Sequence, residues 1–536
     1  MEGPVARAVL LQALLLGLAG DGLLYGLHAG VGFPLFVGAL SLGAVSLVWR
    51  AGRTLPREAA AWLSTAVLFA AARAWRDSDI LQALDLFATL GALWMAALAL
   101  NDARAGLLAP RLRDTVLAAL AVARTILAGV LPVALQELFA PTSGTGLGRR
   151  ARPVLRAGLI ATALVLLFGS LLRDADPIFA SLIALPEMGR AEVVSHLLLF
   201  GIVAWFVGGW ARGALTPIVP RRRAPDALPF SLGMLDVTTA LAALNVLFAL
   251  FVVSQLGWFF GGERFLHERT GLTAAEYARS GFFQMVLVVL LVVPVLVGTR
   301  AALQPGNGLA RRHSMLSLPI IALLAAMIVS AMLRMRLYVH YFGLTTDRFY
   351  PMAFMGWLAL VLVWLALTVL RGRGRPFVAG VVISGASMLA ALHFWSADVI
   401  VAKVNLARAQ DVSRDASSVL DLAHLSSLSG EAARLAVLAT LAERQAPTTP
   451  LERAAADHQG CRAAQRLLVR WGPSSEIVRR AEQPGAWRSW NAGESRAIRV
   501  VGENAAALRV RMRVACASVA PRPGIAPAAA SAGAPH

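Results

Sequence analysis

TVLAALAVARTILAGVLPVALQEL, residues 115–138, is apolar enough and long enough to cross a bilayer, and whether it crosses fixes the side on which every later loop lies. Arg113 precedes it and Arg149, Arg150 and Arg152 follow it. Basic loops of membrane proteins collect in the cytoplasm, so a crossing here would turn one cluster outward and invert every basic loop downstream. Arg124 in the middle and the Gln136-Glu137 end suit an amphipathic helix lying in the cytoplasmic interface. The expectation is therefore an interfacial helix over 115–138, with a full twelfth crossing as the rival.

Outward from that segment, composition sets the class. Of 536 residues, 57% are apolar and 15% charged, with a mean hydropathy of +0.65, more apolar surface than a soluble core could hide. A hydrocarbon layer about 30 Å thick needs roughly 20 apolar residues per helix. Spans are expected at 8–24, 31–49, 58–75, 81–100, 155–173, 193–212, 234–260, 277–298, 314–335, 348–370 and 377–397. The fold class is an all-α integral membrane protein with about eleven transmembrane helices, the interfacial helix, and a small, mainly helical C-terminal extramembrane domain. The domains are 1–397 in the membrane, 398–515 outside it, and a disordered tail at 516–536. The first apolar run continues directly into a second, so no cleavable signal is expected and Met1 is read as the retained start.

The net charge of +19 does not point to nucleic acid, because the arginines sit in short clusters between spans. Arg50, Arg53 and Arg57 mark one such loop; Arg104, Arg111 and Arg113 another; Arg212 and Arg221 to Arg223 a third. Arg300, Arg311 and Arg312, then Arg371, Arg373 and Arg375, complete the cytoplasmic set. The expectation is a multi-pass protein of a cytoplasmic membrane, among lipids, with its N-terminus in the cytoplasm and its C-terminal domain outside.

On that topology GLTAAEYARSGFFQM, residues 271–285, enters a span from the outer face. Thr273 and Glu276 have capping-box spacing, and Tyr277 suits the head-group layer. Arg279, in the second turn, costs roughly 2.5 to 3.5 kcal/mol if left unpaired in hydrocarbon, and Glu276 at i−3 shares its face. GLTTDRFYPMAF, from residue 343, repeats the pattern with Asp347 and Arg348, just after Arg334 and Arg336. Glu276, Tyr277, Arg279, Arg334, Arg336, Asp347 and Arg348 form the candidate outer cluster for an anionic solute or lipid head group. The plainer reading has these arginines snorkelling to phosphates or pairing with Glu276, Asp347, Asp174 and Asp176. Inside the spans Asp236, Asn245 and Gln255 are candidate functional polar groups, with interhelical hydrogen bonding as the plainer role.

RAGLIATALVLLFGSLLRDADPIFA at 156–180, ALNVLFALFVVSQLGWFFGG at 243–262, EYARSGFF at 276–283 and RLYVHYFGLTTDRFY at 336–350 resemble a bacterial family of multi-pass membrane proteins, domain of unknown function 4173, close to 4153. LDLAHLSSLSGEAARLA at 420–436 and WRSWNAGESRA at 487–497 resemble it in the tail. The resemblance implies an integral membrane fold and a shared motif set, and it supplies no reaction.

After Trp395 the chain turns soluble in character, with helical periodicity over 406–428 and 430–445 and a third helix over 451–470. RAIRVV and ALRVRMRVA alternate like strands around the turn-prone GEN. Cys461 and Cys516 are the only cysteines; a disulfide is permitted if the tail is exported, and two cysteines without nearby histidine are no zinc site. No Walker lysine motif, H-E-x-x-H or G-x-S-x-G elbow occurs, so no cofactor or metal is expected and an enzyme is the weaker expectation. Three functions follow: transport or lipid and anion handling at the outer face; a non-catalytic envelope anchor meeting a protein partner through the C-terminal domain; or an enzyme on a lipid-linked substrate using Glu276, Asp347 or Asp174.

Overall fold

The computed structural model describes residues 3–26, 30–101, 112–134, 190–216, 234–270, 282–302, 308–371, 374–410, 420–442 and 450–517. Among these residues the chain is helical and forms no strand. In the apolar helices lipid surroundings dictate this, because a lipid-embedded backbone must satisfy its amides and carbonyls within its own segment. Among the described residues eight helices are long and apolar enough to cross a membrane. The chain divides into two compact units.

The first unit comprises residues 1–73, 84–226 and 374–379. Its helices are α1 (Gly3–Leu24), α2 (Gly32–Arg50), α3 (Arg57–Trp75), most of α4 (Asp79–Asn101), α5 (Leu112–Leu127) and α6 (Arg190–Leu215). Close approach of α1 and α6 rests on glycine: a Cβ at Gly20 would stand 2.7 Å from Val203, and one at Gly17 2.9 Å from Phe200. Small residues let membrane helices gain dispersion contacts where burial from water offers nothing. At the far end of α6, Asn101 and Trp210 donate to the carbonyls of Gly213 and Leu93 at 2.6 and 2.9 Å. His196 of α6 meets the Asp21 carboxylate of α1 at 2.9 Å, with the Tyr25 ring stacked on the imidazole at 3.7 Å.

The questioned segment belongs to this unit. The 16 residues of α5 reach about 24 Å, short of the hydrocarbon thickness. The helix ends at Gly129, whose φ of 63° is left-handed. Trp205 and Arg212 of α6 donate to the carbonyls of Leu127 and Gly129 at 3.1 and 2.9 Å, satisfying the helix end. Residues 135–138 lie outside the described residues.

The second unit comprises residues 74–83, 227–373 and 380–536. It holds α7 (Met234–Thr270), α8 (Phe282–Ala302), α9 (Leu309–Phe342), α10 (Thr346–Thr368) and most of α11 (Gly374–Phe394). Residues 261–270, expected as an outer loop, continue α7 through Gly261 and Gly262. Asn245 of α7 donates to the carbonyl of Leu316 in α9 at 2.8 Å, one turn before Pro319 interrupts the backbone ladder. His313 of α9 and Thr299 of α8 meet at 3.0 Å.

Beyond α11 the chain forms α12 (Ala397–Gln410), α13 (Leu422–Leu425), α14 (Ala433–Leu441), α15 (Pro450–Trp471), α16 (Glu476–Ala481), a 3-10 turn at Ala486–Ser489, α17 (Ala492–Glu503) and α18 (Ala505–Ala517). Leu422, Val437, Ala464, Leu467, Trp471, Val501 and Leu508 make its core. Cys461 of α15 and Cys516 of α18 form a disulfide.

The strands expected at RAIRVV and ALRVRMRVA are helices α17 and α18. Arginine alternation there imitates a two-residue period, but the buried positions Ala497, Val501, Ala505 and Leu508 recur every three to four residues. Asn491 caps α17, its side chain accepting from the amides of Gly493 and Glu494 at 2.8 and 3.2 Å.

Candidate functional site

The turn Trp75-Arg76-Asp77-Ser78-Asp79 between α3 and α4 is polar, yet Arg76, Asp77 and Ser78 are all buried. Burying such groups is costly unless each finds a partner, so the partners identify what the turn is for. Three of them, Glu431, Gly430 and Asn491, come from the C-terminal domain, and the others from α3, α4, α10 and α11.

Arg76 forms an ion pair with Glu431, donates to the carbonyl of His393 at the end of α11, and stacks over Trp75 at 4.6 Å. Its own carbonyl accepts from Asn491 at 3.0 Å and Gln82 at 3.1 Å. The Asp77 carboxylate accepts from the amide of Gly430 at 2.6 Å. Gly430 and Gly493 both have to be glycine here: a Cβ at Gly430 would stand 2.7 Å from the Gly493 carbonyl, and one at Gly493 2.5 Å from Asp77 Oδ1. Ser78 and the Tyr350 hydroxyl of α10 meet at 3.2 Å. The tail segments SLSGEAARLA and WNAGESRA thus meet in space on the WRDSD turn.

A cavity of about 270 Å³ opens beside this junction. Its wall carries four carboxylates, Asp77, Asp79, Asp347 and Asp398, with Thr346, Ser427, Ser429 and His424. One cation, Arg470, also lines it, held by the carbonyls of Ser427 and Leu428 at 3.1 and 3.4 Å and stacked over Trp471 at 4.6 Å. Burial pushes the Asp77 carboxyl above the usual carboxylate range; Asp398 adds to the rise, while the Gly430 amide and Arg470 oppose it. Burial likewise raises Glu494, with Asp77 adding to it. The imidazole of His424 is lowered, chiefly by burial, and is therefore neutral near pH 7.

The outer cluster read from sequence is distributed differently. Asp347 lines the cavity. Arg348 donates to the carbonyls of Phe342 and Gly343 and lies 4.1 Å over the Tyr338 ring, so it fastens the end of α9. Arg334 is buried within α9, and Arg336 is exposed on it. Asp236 is exposed in the first turn of α7; Asn245 makes the interhelical bond described above; Gln255 lies in α7 with its side chain undescribed. Glu276, Tyr277, Arg279, Asp174 and Asp176 lie outside the described residues. Asp77, Asp398, His424 and Arg470 escaped the sequence reading, since the Gly430 partner of Asp77 lies 353 residues away along the chain.

Among the described residues no group of three or more His, Cys, Asp or Glu is arranged to hold a metal ion. A family model described as a domain of unknown function, DUF4153, matches residues 59–437, from α3 into α14. That stretch contains the WRDSD turn, Asp347, Asp398, His424 and Glu431, and stops short of Arg470 and Asn491. No curated protein and no solved structure matches the chain.

Proposed function

We propose that this chain, which belongs to the DUF4153 family, is a ligand-binding anchor protein of the bacterial cytoplasmic membrane: its bundle holds the C-terminal helical domain at the outer end, and the cavity beside their junction takes a small polar ligand. One contrast carries this reading. The junction cavity is about 270 Å³ with polar walls, whereas the void described among α8, α9 and α10 is about 10 Å³, lined by Val289, Met327, Ile328 and Leu358 among other apolar side chains. A narrow apolar void among these three helices suits a scaffold, and a polar recess at the junction suits recognition.

Handling of an anion draws less support, since Arg348 is engaged by its own chain and the cavity wall carries four carboxylates against one guanidinium. The outer placement is supported by two observations. Disulfides persist in oxidising compartments, and Cys461 is bonded to Cys516. The 76–78 turn, the start of α10 and the end of α11 meet the same domain, which requires an even number of crossings between residues 78 and 346. Six of the expected spans lie in that interval, whereas a crossing by 115–138 would make seven.

Alkaline phosphatase fused after His536 should be active in intact cells, and Cys461 and Cys516 should react with polyethylene-glycol maleimide only after reduction. A silent phosphatase together with thiols that react without reductant would defeat the outer placement.

A further inference from the structure

We propose that the junction cavity recognises a primary ammonium group on a small hydroxylated molecule, an amino sugar or amino alcohol, with Asp398 as the main counter-charge and Asp77 and Asp347 beside it. The inference rests on the cavity being the ligand site and adds the chemistry of what enters.

The unmatched groups in the wall define that chemistry. Asp398, 4% exposed, receives one long contact at 3.5 Å from the Ser429 amide on Oδ1, and its Oδ2 has no hydrogen-bond partner. Asp77, 5% exposed, spends Oδ2 on Gly430 and leaves Oδ1 without one. Ser429 Oγ and His424 Nε2 are likewise buried without a hydrogen-bond partner. Another buried acid at the junction differs in its neighbours: Glu431, whose oxygens also accept no hydrogen bond, has the guanidinium groups of Arg76 and Arg496 beside it. A protein that pairs one buried carboxylate with guanidinium groups and leaves two others without such a pair has room for a cation that is not its own. Arg470 does not fill that role at close range, because its Nη1 is committed to backbone carbonyls.

The remaining features narrow the class. No three-ligand metal arrangement occurs among the described residues, so an ammonium with three donors fits better than a metal ion. Thr346, Ser427, Ser429 and neutral His424 supply donors and acceptors for hydroxyl groups on the same molecule. At roughly 30 Å³ per water, the volume corresponds to about nine waters, enough for one sugar-sized ligand.

The test uses the full chain in detergent, titrated with glucosamine, glucose and N-acetylglucosamine by calorimetry and thermal shift. Glucosamine should bind and raise the unfolding temperature while the two neutral sugars do not. Asp398→Asn should weaken it at least tenfold, and Asp347→Asn, at the exposed rim, severalfold. Equal responses to all three sugars, no response to glucosamine, or unchanged affinity in both variants overturns the proposal. Should Asp398→Asn misfold, Asp347→Asn decides it. The maleimide and phosphatase assays report placement independently, so a correctly placed domain that ignores glucosamine sinks the ammonium alone.

Discussion

Where α1 meets α6, Gly17 and Gly20 bring the backbones close to Phe200 and Val203, and the contact is apolar over most of its length. Where the C-terminal domain meets the 75–79 turn, the contact is an ion pair, a carboxylate on an amide, and an asparagine on a carbonyl. The first kind of contact is non-directional and loses stability in proportion to what is removed. The second is directional, and loss of one partner leaves the other buried and unsatisfied. Packing therefore joins α1 to α6, while hydrogen-bonding geometry fastens the C-terminal domain to the 75–79 turn.

The largest break in that contrast is Glu431→Ala. It strands Arg76 in a buried site, and breaking such a pair costs about 3–5 kcal/mol. Arg496, whose guanidinium lies 3.7 Å from the same carboxylate, loses its partner as well. Limited proteolysis of the full chain should then degrade the C-terminal domain far faster than in the parent, while the membrane helices stay inserted. Unchanged digestion would mean that the domain is held by something other than this pair.

Sequence showed the bundle more clearly than the junction for the same physical reason. Spans announce themselves locally, because a 20-residue apolar run is visible without knowing its neighbours. The partners of the turn are remote: Asp77 and Gly430 are 353 residues apart, and Arg76 and Asn491 are 415 apart. Nothing local distinguishes Asp77 from a solvated turn residue. Arg348 is the converse case, a guanidinium at a helix start whose neighbours, the carbonyls closing α9, cannot be read from the sequence. In α17 and α18 the arginines drew attention to a two-residue alternation, while the deciding residues were the small ones that face the core.

Two glycines sharpen the comparison at smaller cost. Gly493→Ala pushes a methyl against Asp77 at the junction and should destabilise by about 1–3 kcal/mol. Gly91, in the middle of α4, has nothing within 4 Å of its Cβ position, and Gly91→Ala should be neutral or stabilise by up to about 1 kcal/mol through helix propensity. Thermal unfolding of the two variants side by side checks both signs. A Gly493→Ala variant as stable as the parent would show that the turn and the domain are not in tight contact.

The smallest effect is the most informative about the cavity. Asp77 is raised in the folded state above 3.8, so it binds a proton more tightly folded than unfolded, and stability falls as pH rises from about 4 through its raised value. His424 is lowered below 6.5, so its contribution is lost in the opposite direction, as pH falls below 6.5. Asp77→Asn keeps an oxygen for the Gly430 amide and removes the buried charge. At pH 7 it should raise the unfolding temperature and remove the alkaline-going loss. His424→Gln should remove only the acid-going loss. If Asp77→Asn gains stability and loses glucosamine affinity together, the junction carries a carboxylate that folding alone would discard, and binding is the reason it is there. If it loses stability with no change in glucosamine affinity, Asp77 belongs with Arg76 and Glu431 as part of the fastening.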